Sequence, residues 1–276
     1  DAGGWHHDTL TEDLDLSYRA QMKGWKFVYL PDVTSPAELP PEMNAFKSQQ
    51  HRWAKGSIQT ALKLLPLIRR AGVPREVKRE AFFHLTANVG YVFMIPLTIL
   101  LPVTVVVRVS HGWYEVLLLD LPLFAAATLS VVSFYAASQA EQGVGWWDRV
   151  KWVPLVMALG IGLAVNQARA VLEALMGYET GFTRTPKHGI RRAGESVARK
   201  RYRAAVSLQP VVELALAAYL GYGVAYLLER GVYYSLPFLL LFQAGFAYVG
   251  IASVYEGLRG RVLRRSRALL PQATAE

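Results

Sequence analysis

Hydrophobic and polar positions are unevenly spread along this chain. Residues 81–107, 121–140 and 236–255 contain no aspartate, glutamate, lysine or arginine, and residues 204–228 are broken only by Glu213. A membrane-crossing helix needs about 20 predominantly apolar residues, so these runs predict four spans. A fifth run, 152–172, is different. Its uncharged part ends at Ala168 and already holds Asn166 and Gln167, and Arg169 and Glu173 follow. A short run with a polar end predicts an interfacial helix instead of a span.

The pattern before residue 81 is mixed. Thr11 to Lys23 reads as a helix: Thr9 or Thr11 can cap it, Glu12 and Asp13 lie in its first turn, and Gly24 follows. The Thr9-x-x-Glu12 spacing also fits a capping box. Trp25 to Leu30 reads as a strand stopped by Pro31. Pro36, Pro40 and Pro41 mark a linker. From Glu42 to Leu65, the residues Met43, Phe46, Trp53, Ile58, Ala61 and Leu65 recur at near-helical spacing, with Lys47, Arg52, Lys55 and Lys63 between them. That pattern predicts a basic amphipathic helix lying along a membrane surface.

Composition sharpens this picture. The chain is 53% hydrophobic and carries a net charge of +9, with a mean hydropathy of +0.21. Its cations flank the apolar runs instead of interleaving with aromatics, which argues against a nucleic-acid module. The basic loop 184–203 and the basic tail from Arg259 should be cytoplasmic, and the sparsely charged loops 108–120 and 229–235 external. Every loop obeys this rule only if 152–172 does not cross. With no cysteine, disulfides and thiolate metal sites are excluded. The opening residues Asp1-Ala2-Gly3-Gly4-Trp5 read as the interior of a folded domain, so the chain is expected to be part of a longer protein.

Four groups could carry chemistry. Glu12 and Asp13, near His6, His7 and Asp8, offer a carboxylate in a first helical turn. The amides and dipole there keep it ionised and able to accept a proton. Plain helix capping explains the same residues. A metal site from His6, His7 and Asp8 has poor chelate geometry. Gln49, Arg52 and Trp53 share one helical face, combining an amide, a guanidinium suited to diphosphate and an aromatic face suited to a sugar. Trp53 could equally be an interface anchor. Phe182-Thr183-Arg184-Thr185-Pro186-Lys187, among Gly177, Gly181 and Gly189, could close over an anionic ligand or simply hold lipid headgroups. Tyr219, Tyr222 and Tyr226 share a face that could line a channel or serve packing.

The order Thr11-Glu12-Asp13, then Gln49-x-x-Arg52-Trp53, then apolar helices, then Phe182-x-x-Thr185-x-Lys187 resembles the processive family 2 glycosyltransferases. The likeness is greatest to bacterial cellulose synthase catalytic subunits and glucomannan (mannan) synthases. It implies an α-helical membrane protein, with four transmembrane helices plus interfacial helices, attached to the C-terminal remnant of an α/β GT-A catalytic domain. The implied divisions are 1–41 for that remnant, 42–80 for the interfacial region and 81–258 for the channel. The channel would include interfacial helix 152–176 and a gating-like loop 177–203, and 259–276 would be a basic tail. Asp13 would be the base, supported by Glu12. Trp53 would stack on the terminal sugar, and Gln49 and Arg52 would lie near donor diphosphate and acceptor. Phe182, Thr185 and Lys187 would close over nucleotide.

The resemblance further implies a divalent metal, Mg2+ or Mn2+, with ligands outside this chain, so the chain alone is expected to be inactive. The implied partners are a nucleotide-sugar donor (UDP-glucose or GDP-mannose), a growing polysaccharide, the bilayer and accessory export subunits. The implied location is the inner membrane, multi-pass, with the catalytic side cytoplasmic. Chitin- or hyaluronan-type synthesis, transfer to a lipid carrier, and a non-catalytic channel or assembly subunit are the alternatives.

Overall fold

The computed structural model describes residues 1–143, 145–182 and 208–268. Its elements are helical: α1 (Glu12–Met22), α2 (Met43–Arg70), α3 (Arg75–Thr86), α4 (Gly90–Ser110), α5 (Tyr114–Ala140), α6 (Trp146–Val150), α7 (Val153–Gly162), α8 (Ala164–Leu175), α9 (Gln209–Glu229) and α10 (Leu236–Ala268). A 3-10 turn, Ala87–Val89, joins α3 to α4.

α1 occupies the stretch expected to be helical, and Thr11 stands at its N-cap position. The capping box does not form. No side-chain hydrogen bond caps α1, and the Thr9 hydroxyl is buried with no hydrogen-bond partner among the described residues. Thr11 turns its hydroxyl to Thr60 of α2, 3.3 Å away. The strand expected at Trp25–Leu30 is also absent, and no strand occurs among the described residues. The segment is irregular and open, with Val28 and Tyr29 exposed by 80% and 82%. Strand residues stabilise one another through cross-strand partners, and none is present here.

α2 departs most from expectation. Lys47 and Lys55 are buried, not on a solvated basic face, and Leu64 is buried in place of Leu65. Each lysine meets a carboxylate from another helix. Lys47 Nζ is 2.6 Å from Glu213 of α9, and Lys55 Nζ is 3.1 Å from Glu173 of α8. Burying an unpaired ammonium would be prohibitive, so these contacts are what permit a lysine-bearing helix to lie inside the bundle. Glu256 of α10 closes the N-terminus of α2, accepting hydrogen bonds from the Met43 and Asn44 amides at 2.6 and 3.0 Å. Asn166 of α8 adds a hydrogen bond to the Lys47 carbonyl, at 2.9 Å.

Among the described residues, three stretches are long and apolar enough to cross a membrane: Arg75–Ser110, Gln209–Glu229 and Leu236–Arg259. The expected span at 121–140 falls within α5, whose Phe124–Ala140 portion is a shorter apolar helix. The expected interfacial helix 152–176 is not one helix. α6–α7 and α8 form a pair bent by 49°, which would make a fourth crossing only if counted as one span. α8 buries Ala164, Asn166, Gln167, Ala170, Val171 and Ala174 and packs against α2 and α4. The main core joins Leu101 and Val105 of α4, Ile161 of α7, Leu220 and Leu227 of α9, and Leu239 and Phe246 of α10. α7 and α10 touch backbone to backbone at Gly162 and Gly245, where an added Cβ would collide with the opposing main chain. A second cluster joins Leu14 and Tyr18 of α1, Ala61, Leu64 and Ile68 of α2, and Ala81 and Leu85 of α3. That smaller cluster positions the candidate site.

Candidate active site

α1, α2 and the top of the α3–α4 rod enclose a cleft of about 360 Å3 lined by Thr11, Glu12, Asp13, Leu14, Arg52, Trp53, Ser57, His84, Ala87 and Asn88. Its assembly follows from local chemistry. Gly56 on α2 has no side chain, and a Cβ there would meet the Thr11 backbone nitrogen at 2.9 Å. α1 can therefore begin directly against α2. The Leu10 amide donates to Gln59 Oε1 at 3.0 Å, and Ser57 Oγ donates to the Leu85 carbonyl at 2.8 Å. These bonds tie both neighbours to α2.

The cleft brings Glu12 and Asp13 onto one wall and Arg52 and Trp53 onto another. Asp13 is exposed, with Oδ1 accepting the Leu14 amide at 2.8 Å. Trp53 keeps 47% of its surface open. Arg52 Nε is buried without a hydrogen-bond partner among the described residues. Its guanidinium carbon lies 4.9 Å from the centroid of the Phe182 ring, within cation–π range. Phe182 stands over Arg52, 130 positions earlier in the chain, because the segment after α8 returns to α2. Gln49 is half-buried one turn earlier on α2, outside the residues that line the cleft. Thr185 and Lys187 lie outside the described residues.

The returning segment is held at several points. Lys55 Nζ donates to Thr180 Oγ1 at 3.0 Å and lies 5.2 Å from the Tyr178 ring centroid. Glu173 gathers Lys55, Arg169 at 2.8 Å and His51 at 3.2 Å. Burial is the largest influence on His51 and pushes its pKa below the ordinary imidazole value, outweighing the attraction of Glu173. The neutral ring then donates a hydrogen bond to Glu173 instead of forming an ion pair.

The histidine–aspartate cluster near the start of the chain is not the His6, His7 and Asp8 set. His6, Asp8 and Asp15 converge, with their ligand atoms within 4.8 Å of one another, and His7 is not among them. Lys63 fills the middle: its Nζ is 3.1 Å from His6 Nδ1, 2.8 Å from Asp8 and 2.9 Å from Asp15. The Lys63 hydrogen bond holds the Asp8 carboxyl below its usual range. Burial works against the Lys63 charge, but the two carboxylates outweigh it and raise its pKa. A dication would meet an ammonium there, so the cluster does not fit a metal ion. The polar site-lining residues absent from the sequence expectation are Ser57, His84 and Asn88. Ser57 follows Trp53 by one helical turn, and His84 and Asn88 are polar exceptions in an uncharged run, so signals for them existed.

Tyr219 and Tyr226 are engaged in packing. Tyr219 donates to the Ile99 carbonyl at 2.6 Å, and Tyr226 packs on the main core with Arg230 5.4 Å from its ring centroid. Tyr222 remains exposed.

Comparison with known proteins points in one direction. Residues 1–165 match the model of Glycosyl transferase family group 2, a stretch that includes Glu12, Asp13, Gln49, Arg52 and Trp53. The chain is 28% identical over 274 residues to "Probable glucomannan 4-beta-mannosyltransferase 9" of Oryza sativa subsp. japonica, an alignment covering 92% of this chain and 47% of that protein. It is 40% identical over 113 residues to glucomannan 4-beta-mannosyltransferase 1 of the same plant, covering 37% of this chain and 22% of the relative. It is 38% identical over 113 residues to glucomannan 4-beta-mannosyltransferase 2 of Arabidopsis thaliana, covering 37% and 21%. The chain thus spans about half the length, or less, of these curated relatives. No solved structure matches it. With more than half of its residues matched by the family model, the chain belongs to glycosyl transferase family group 2.

Proposed function

We propose that this chain is the acceptor-side and membrane portion of a hexosyltransferase that builds a β-linked polysaccharide from a nucleotide-sugar and passes it across the membrane. The observation that carries this reading is the cleft, where Glu12 and Asp13 face the same space as Arg52 and Trp53. The names of the relatives favour a mannan-type product and GDP-mannose over UDP-glucose.

In this reading Asp13 accepts the proton of the acceptor hydroxyl as its oxygen attacks the anomeric carbon of the donor, inverting that centre. Glu12 beside it contributes negative potential. Trp53 offers an aromatic face to the terminal sugar. Arg52, with a buried N–H lacking a partner, stabilises negative charge on the departing diphosphate. Gln49, one turn earlier, supports the acceptor side. Phe182 begins the closing segment that continues through Thr185 and Lys187. A divalent metal would supply further stabilisation of the leaving group. Among the described residues Lys63 occupies the one His/Asp/Glu cluster found, and an ammonium there does not fit a dication. The three apolar stretches support residence in a membrane, and the loop charges favour an inner-membrane orientation with the cleft cytoplasmic.

The test uses the full-length protein in membranes, offered GDP-mannose, UDP-glucose and UDP-N-acetylglucosamine in parallel. A β-linked polymer is expected from GDP-mannose. Asp13→Asn should lower synthesis at least about a hundredfold, the lower range for a general base, with membrane insertion unchanged. Polymer formed at the normal rate by Asp13→Asn would remove Asp13 from the base role.

A further inference from the structure

One polar side chain in the cleft has no part in the reading above. His84, near the end of α3, lines the cleft together with Asp13, Arg52 and Trp53. Its Nδ1 lies 2.7 Å from the Tyr18 hydroxyl, and the two rings pack 5.9 Å apart at 41°. Tyr18 comes from α1, the same helix as Asp13, and packs into the small cluster that joins α1, α2 and α3. His84 is thus held by the same core that sets the cleft walls.

The Tyr18 hydroxyl can donate as well as accept. Burial, with Glu80 nearby, raises the Tyr18 pKa, so its hydroxyl keeps a proton to donate. A neutral imidazole that accepts at Nδ1 carries its own hydrogen on Nε2. That tautomer of His84 brings an N–H donor to a cleft that already has the aromatic face of Trp53. Asn88 adds an amide to the same wall. A sugar ring has an apolar face and a rim of hydroxyls. Stacking on Trp53 serves the face but leaves the rim without partners, and desolvated hydroxyls left unpaired are costly.

We propose that His84 is an acceptor-binding residue, donating from Nε2 to a hydroxyl of the sugar that packs on Trp53, and that Tyr18 is the residue that positions it. The proposal rests on the glycan-building reading and deepens it by naming a rim contact. Such a contact selects among sugars as well as holding them: a site built to bond one hydroxyl discriminates strongly against a ligand that cannot present it.

The experiment is calorimetric titration of β-1,4-linked mannotetraose and cellotetraose into the full-length protein in detergent. The unmodified protein is expected to bind at least one of them. His84→Ala and His84→Phe should each weaken that binding about tenfold, the equivalent of one such hydrogen bond. His84→Phe preserves ring volume against Tyr18, so it reports on the N–H if the alanine variant fails to fold. His84→Gln, which retains a donor, should recover most of the affinity. Tyr18→Phe should weaken binding by a few-fold in the native background and have no further effect in His84→Phe, whereas a merely structural Tyr18 would act equally in both. Unchanged affinity in a folded His84→Phe overturns the role of His84 and leaves the glycan reading standing. Failure of the unmodified protein to bind either tetrasaccharide overturns the glycan reading and this proposal with it.

Discussion

At the residue scale, His51 shows how burial and charge compete. It touches Glu173 at 3.2 Å, yet its pKa is lowered because burial is the dominant influence and Lys55 and Arg169 add repulsion. The sign follows from linkage. The unfolded ring titrates near the ordinary value of about 6.5 and the folded ring below it. Between those values the unfolded chain binds more protons, so stability falls as pH drops through that window and levels off beneath it. Thermal unfolding in detergent should therefore show a decline in Tm from about pH 6.5 downward. His51→Gln should flatten that part of the profile. The motif residues themselves were readable from the chain because their chemistry is local: Arg52 and Trp53 each stand one helical turn from Gln49, and both reach the cleft. Lys47 and Lys55 were not readable. Their burial depends on Glu213 and Glu173, which are 166 and 118 positions away, and nothing in a local pattern announces such partners.

At the scale of elements, α2 organises the cleft, and two contacts can be tested on it. Gly56→Ala would drive a methyl group into the Thr11 backbone. Overpacking of this kind costs about 1–3 kcal/mol. It should separate α1 from α2, so synthesis should fall more than stability does, as seen by comparing polymer yield with Tm. The Lys47–Glu213 pair is the second. Glu213 Oε2 is already buried without a hydrogen-bond partner among the described residues. Lys47→Met would leave a whole carboxylate uncompensated and should cost about 3–5 kcal/mol. The double variant Lys47→Met with Glu213→Leu should recover most of this, because removing both charges removes the desolvation problem. Helix α1 was legible because its first-turn acids and terminal Gly24 are local signals. The extended segment at Trp25–Leu30 has the composition of a strand but no neighbour to pair with, which is why pattern alone misjudged it. The bend between α7 and α8 was hidden for a related reason: packing against α2 and α4 decides it, and hydropathy carries no such information.

For the whole molecule, the apolar stretches and the charge asymmetry of the loops give a topology that labelling can check. The chain has no cysteine, so single substitutions report without background. Gly72→Cys, at a position open around its Cα, should react with a membrane-impermeant maleimide only after cells are opened. His111→Cys, in the exposed turn after α4, should react in intact cells. The reverse pattern would invert the proposed orientation. Hydropathy revealed most of this layer because a bilayer imposes its requirement on each span separately. It did not reveal that Glu213 of α9 and Glu256 of α10 reach α2. That grip has a practical bearing through Glu256. The carboxylate that finishes the start of α2 comes from a helix residue 213 positions later, so α2 and α10 must mature together. A ribosome still short of Glu256 would have made every motif residue seen here, yet α2 would begin with bare amides until α10 came to rest against it.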